Sequence, residues 1–135
     1  MVVSEYPNYF KINGPNTGSG HSSQLCYIEA MAGYIVQAIC AVRNNKQIRA
    51  IDVKKDVQDI YVAAMKRTLK STVWQTGGCT AFYRKDMTGD VTSLSPESVV
   101  GFIFTRRRFR LADYRLIGDA PKASGSTSPA RAEYA

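Results

Sequence analysis

The stretch that decides the fold is Tyr9-Phe10-Lys11-Ile12-Asn13, then Gly14-Pro15-Asn16-Thr17-Gly18-Ser19-Gly20, then His21-Ser22-Ser23. Aromatic and β-branched residues after Pro7-Asn8 predict a short strand. The next seven residues are all turn formers. Ser22 or Ser23 can then cap a helix, because a side-chain oxygen there accepts an orphan backbone N–H. Strand, glycine-rich loop and helix start together suit a ligand. Glycines let backbone come close, and a helix N-terminus presents free N–H groups and about half a positive charge. An anion, or a ring on which negative charge develops, fits that description. A plain turn fits the same residues, and both readings stand at this point. It is not a P-loop, since GxxxxGK[ST] is absent, nor the GxGxxG of a dinucleotide fold.

Downstream, the helix is predicted to run to about Arg43, with Asn44-Asn45 as its stop. Its inner stripe is read as Leu25, Ile28, Ala32, Ile35, Ile39 and Val42, spaced three and four apart. Tyr27, Met31, Tyr34 and Val36 lie off that stripe, so the helix is apolar on more than one face. Residues 48–53 alternate enough for a strand. Asp56 opens a second helix to about Leu69, with Val57, Ile60, Ala64 and Leu69 inward and Tyr61 and Met65 flanking. Residues 72–83, with Gly77-Gly78 inside, read as short strand or irregular structure. Residues 86–90 read as a turn, and 99–104 as a short apolar segment. From Gly118 on, Ala, Ser, Gly, Pro and Thr predominate, and disorder is expected.

The chain has 135 residues, 44% hydrophobic and 21% charged, which suits one globular unit. The formal net charge is +7. Its densest cluster is Arg106, Arg107, Arg108 and Arg110, with Phe104 just before it and Phe109 inside it. That cluster could grip phosphates and stack bases, or form a short helix whose arginines pair with acidic groups. Cys26, Cys40 and Cys79 have no CxxC spacing and His21 is the single histidine, which argues against a zinc site. Reduced thiols in a cytoplasmic protein are expected. His21 beside Ser22 and Ser23 lacks a GxSxG elbow, so capping is the better reading. Residues 25–42 approach membrane-spanning length, but Glu29 mid-helix would cost about 2.5–3.5 kcal/mol, and a buried helix avoids that cost. No membrane span is expected.

Order and spacing of several segments resemble the Baeyer–Villiger flavin monooxygenases. The resemblance rests on Tyr6-Pro7-Asn8-Tyr9-Phe10, Asn13-Gly14-Pro15-Asn16-Thr17 and Gly20-His21-Ser22-Ser23. It continues through Ile28-Glu29, Tyr34-Ile35, Val57-Gln58-Asp59-Ile60-Tyr61, Thr72-Val73-Trp74, Gly78-Cys79-Thr80 and Thr105-Arg106-Arg107-Arg108-Phe109. It covers residues 3–114. Two places depart from the pattern: Cys79-Thr80-Ala81-Phe82-Tyr83 stands where many members have Cys-x-Ser-Trp-Tyr, and Leu94-Ser95-Pro96 where many have Leu-Trp-Pro. The missing first Trp puts a nicotinamide- and substrate-side contact in doubt.

The resemblance implies an α/β fragment. Residues 1–46 would be the last strand, loop and C-terminal helix of a glutathione-reductase-like FAD-binding domain. Residues 47–117 would be a mainly helical covering extension, and 118–135 a disordered tail. It implies FAD and NADPH in the complete enzyme, a peroxyflavin reaction on a ketone or soft heteroatom, and a small organic substrate. Cofactor contacts would come from Asn13, Gly14, Pro15, Asn16, Gly20, His21, Ser22 and Ser23. The family's FAD and NADPH fingerprints and active-site arginine have no counterpart here, so no catalytic residue is assigned. The chain is expected to need an N-terminal flavin- and nicotinamide-binding part, and to hold neither cofactor and be inactive alone. The alternative is a small basic module that contacts nucleic acid through Arg106 to Arg110.

Overall fold

Ser23, with β-region backbone angles, starts a 21-residue helix, α1 (Gln24–Asn44), and Asn45 ends it. The computed structural model describes residues 1–118. After α1 come β1 (Ile48–Val53), α2 (Lys55–Lys70), the single turn α3 (Val73–Thr76), α4 (Val99–Arg106) and β2 (Tyr114–Gly118). The described residues therefore form a small α/β unit of four α-helices and a two-stranded antiparallel sheet.

β1 pairs with β2 from Val53↔Tyr114 to Ile48↔Gly118, with an irregularity between Ile48 and Ala50. Val53, Ile51 and Ile48 are buried with Tyr114 and Ala38 of α1. A second cluster joins Tyr27 and Met31 of α1 to Phe102 of α4. The Tyr27 and Phe102 rings lie 4.4 Å apart at 45°, a tilted aromatic contact. A third cluster, Leu69, Val91 and Leu94, carries Trp74 and Tyr83. α1 thus packs on both β1 and α4, across the boundary drawn at residue 46.

Several expectations need correction. Residues 9–13 form no strand. Their only pairing is an isolated bridge between Val2 and Phe10, and Asn8 and Asn13 take positive φ, the left-handed region that interrupts extended backbone. Residues 72–83, read as short strand or irregular structure, are irregular apart from the helical turn at 73–76. β2 was not foreseen, and Gly118 is its last residue rather than the start of a tail. The expected disorder of residues 119–135 lies outside the described residues. The turn at 86–90 is present as a 3₁₀ turn at 85–87 with Asp86 at φ 50°.

The stripe on α1 is rotated. Tyr27, Met31 and Ala38 are the buried positions, whereas Leu25 is 69% exposed, Val36 56% and Ile39 55%. On a helix these three, with Ala32 between them, share one face. Of the stripe read as inner, Leu25 and Ile39 lie open, while Ile28 and Val42 pack against the buried clusters; Val36, read off the stripe, is open as well. On α2, Leu69 is buried as expected and Val57 packs against the sheet cluster, whereas Ile60 and Ala64 are exposed and the flanking Met65 is buried. By length and composition α1 could cross a membrane, a test that the core helix of a soluble protein also passes.

Candidate functional site

The loop before α1 is built by short-range bonds and by one distant segment. Thr17 Oγ1 donates to Gly14 O at 2.7 Å, closing the Gly-Pro-Asn turn. Asn16, at φ 54°, donates its backbone N–H to Thr92 O (2.9 Å) and its Nδ2 to Leu94 O (3.2 Å). Gly18 N donates to Ser93 O and Ser95 N to Gly18 O, each at 2.8 Å. A Cβ on Gly18 would lie 2.9 Å from Ser93 O, so the glycine is required by this close approach. Residues 16–18 are thereby stitched to residues 92–95.

Gln24, rather than the serines, ties the loop to the helix start, without capping it. Its Oε1 accepts from Ser19 N, and its Nε2 donates to Asn13 Oδ1 (2.7 Å) and Thr17 O (3.3 Å). Ser23 occupies the cap position but makes no side-chain capping bond. Ser22 enters through its backbone: its N donates to Ser19 Oγ, whose hydroxyl donates to Ser22 O. The first turn of α1 is left without a side-chain cap and contains no acidic residue.

The eight predicted cofactor residues divide into two groups. Asn13, Pro15, Gly20, His21, Ser22 and Ser23 are exposed along the loop and the helix start. Gly14 is buried, its missing Cβ facing Met1 N and Lys11, and Asn16 is half-buried and bonded to the 92–95 segment. Gly20 serves a packing need: a Cβ there would lie 2.5 Å from Cζ2 of Trp74. His21 stacks on the same indole, centroids 5.9 Å apart at 22°. Sequence reasoning missed Gln24 and the Trp74 contact. Gln24 follows the serines without a pattern to mark it, and Trp74 is far away in sequence.

The arginine cluster does not form one face. Arg106 is buried; its Nη1 donates to Glu97 Oε2 at 2.5 Å and its Nη2 to the Tyr61 hydroxyl at 2.6 Å. Arg107, Arg108 and Arg110 are exposed. Of the two readings, the short helix with an arginine paired to an acidic group is the one present, and the nucleic-acid reading is not favoured. Among the described residues no group of His, Cys, Asp and Glu could hold a metal.

A Baeyer–Villiger monooxygenase of Pseudomonas aeruginosa is 31% identical over 115 residues, 85% of this chain and 22% of that protein. A second, of Streptomyces coelicolor, is 31% identical over 125 residues, 93% of this chain and 24% of that protein. The chain is homologous to one part of these monooxygenases. An FAD-binding monooxygenase of Aspergillus niger is 29% identical over 134 residues, 97% of this chain and 21% of that protein. The chain spans between a fifth and a quarter of the length of the curated relatives it matches. No family model matches it, and no solved structure does.

Proposed function

We propose that this chain is the C-terminal part of an FAD- and NADPH-dependent monooxygenase that oxidises ketones or soft heteroatoms. It works with an N-terminal part that supplies the dinucleotide-binding folds, in the cytoplasm. The observation that carries the reading is near-complete alignment of this chain with less than a quarter of two Baeyer–Villiger monooxygenases. The open stripe of Leu25, Val36 and Ile39 supports it, because an apolar helix face of this size calls for a covering surface. In this reading α1 lies against the FAD-domain sheet, residues 1–46 complete that domain, and residues 47–117 cover it.

The residues present fit a flavin edge. An uncapped helix start, free of acidic side chains, offers backbone N–H donors where a reduced, anionic ring would need them. Gly20, His21, Ser22 and Ser23 would hold that edge, with Asn13 and Pro15 beside them and Gly14 and Asn16 shaping the turn. When bound, FAD supplies the oxygen chemistry; this chain supplies orientation and partial positive charge. NADPH and the organic substrate would be held mainly by the N-terminal part.

The test is a chimera. This chain replaces the homologous segment of the P. aeruginosa monooxygenase, and FAD content and ketone-dependent NADPH oxidation are measured. Retained FAD with ketone-dependent turnover is the expected result; a folded chimera without FAD refutes the reading. The chain alone should not oxidise NADPH above the free-flavin background.

A further inference from the structure

The candidate loop is not self-supporting. Between Asn13 and Ser23, the internal bonds are the Thr17–Gly14 closure, the Ser19–Ser22 pair and the Gln24 contacts. Most of what else fixes it comes from 54 to 78 residues later. Residues 92–95 bond Asn16 and Gly18, and the Trp74 indole lies directly on Gly20 and His21. Trp74 in turn rests on Leu69, Val91 and Leu94, and Leu94 Cδ1 also reaches the Gly20 position. Its ring is therefore held from below by a buried apolar cluster and presses upward on the last glycine before α1.

We propose that Trp74 is a positioning residue for the cofactor loop, setting the backbone path of residues 18–21 and so the aim of the first α1 amides at the flavin. The inference rests on the flavin-facing reading of residues 13–23. Gly20 is the counterpart of Trp74: only a residue without Cβ leaves room for the ring, which accounts for glycine at a position without positive φ. The covering extension then does more than cover. It fixes the geometry of a ligand edge that belongs to the other half of the chain. An aromatic side chain is suited to this, being large and rigid with few rotamers to lose.

The experiment uses the assembled, FAD-loaded protein, either the chimera above or this chain joined to its N-terminal part. Trp74→Ala, Trp74→Phe, Gly20→Ala and, as a control on the same extension, Phe82→Ala are compared; Phe82 is 84% exposed. FAD dissociation and the flavin absorption band are measured, with amide hydrogen exchange of residues 14–23 recorded on FAD-stripped samples. Trp74→Ala and Gly20→Ala should weaken FAD binding about tenfold, the scale of one aromatic contact, and speed exchange in the loop. Trp74→Phe should restore most of the affinity, and Phe82→Ala should match the parent. Parent-like FAD affinity and loop exchange in Trp74→Ala overturn the proposal. Faster loop exchange with unchanged FAD affinity also overturns it, because the loop would then be fixed by Trp74 without serving the flavin. A parent protein that holds no FAD sinks the flavin-facing reading itself, and this proposal with it.

Discussion

The guanidinium carbon of Arg106 lies 3.7 Å from the centre of the Phe102 ring, one turn earlier on α4. Tyr61 of α2 and Glu97 complete the enclosure. The arginine is thus an internal strut between α2, α4 and the segment before α4. Glu97→Ala removes the carboxylate and leaves a buried cation unpaired. Stability should fall by about 3 kcal/mol, read as a lower urea midpoint with unchanged slope. An unchanged midpoint would mean Arg106 finds water instead.

Burial pushes the hydroxyls of Tyr27, Tyr34, Tyr61 and Tyr114 above their ordinary value of 10.0. Tyr34 and Tyr114 share a 2.9 Å hydrogen bond, and for Tyr114 desolvation is the largest cause. The folded state favours the neutral forms, so their contribution is whole below the unfolded value of 10. It declines as pH rises past it, because the unfolded chain ionises first. The tyrosines' share of the stability should be level from neutral pH to about 9 and fall above 10. Phenolate absorbance should rise together with unfolding. Tyr34→Phe with Tyr114→Phe should flatten part of that alkaline loss.

Asp52 is buried on β1, and its two oxygens accept from Glu5 N at 3.0 Å and Arg115 Nη2 at 2.6 Å. Arg115 is largely exposed and can return to water, whereas Glu5 N loses its partner. Asp52→Ala should therefore cost about 2 kcal/mol and loosen residues 1–8 before the rest. Limited proteolysis should show new early cuts near the N-terminus, and their absence would contradict the assignment.

The open face of α1 predicts that the isolated chain self-associates and binds a hydrophobic dye. Val36→Lys with Ile39→Lys should make it monomeric and dye-free. The same pair should abolish FAD retention in the chimera, since burying each such side chain is worth about 1.5–3 kcal/mol. An isolated parent chain that is monomeric, melts sharply and ignores the dye would show a self-sufficient domain.

Elements carried by local chemistry were legible in the sequence. α1, β1 and α2 follow from period and turn residues within a residue or two. What period cannot say is which of two apolar faces meets this chain's own core. On α1 the answer is Tyr27, Met31 and Ala38, because Phe102 and the β1 residues come from distant sequence. Residues 9–13 read as a strand on composition, yet a strand exists only where another edge pairs with it, and here Val2 offers a single bridge. β2 escaped notice for the converse reason: Tyr114-Arg115-Leu116-Ile117-Gly118 is short and follows a charged stretch, and β1 makes it a strand. In the site, the loop residues were legible as turn formers. Their fixing by Gln24, Trp74 and residues 92–95 was not, because contacts over such separations leave no local pattern.

β1 is flanked by chain from both extremes of the described residues. β2 pairs along one edge, while Asn8 takes the other, its N–H donating to Ile51 O and its side chain accepting from Ile51 N. Contacts of such wide sequence separation have to wait for the late residues to exist. During synthesis the α1–β1 unit would leave the ribosome with its sheet edge unpaired, a period in which chaperone capture or misassociation competes with closure. The order of synthesis therefore makes 114–118 the closing step, and a stop codon placed just before Tyr114 should leave the β1 edge unpaired and the chain unable to close.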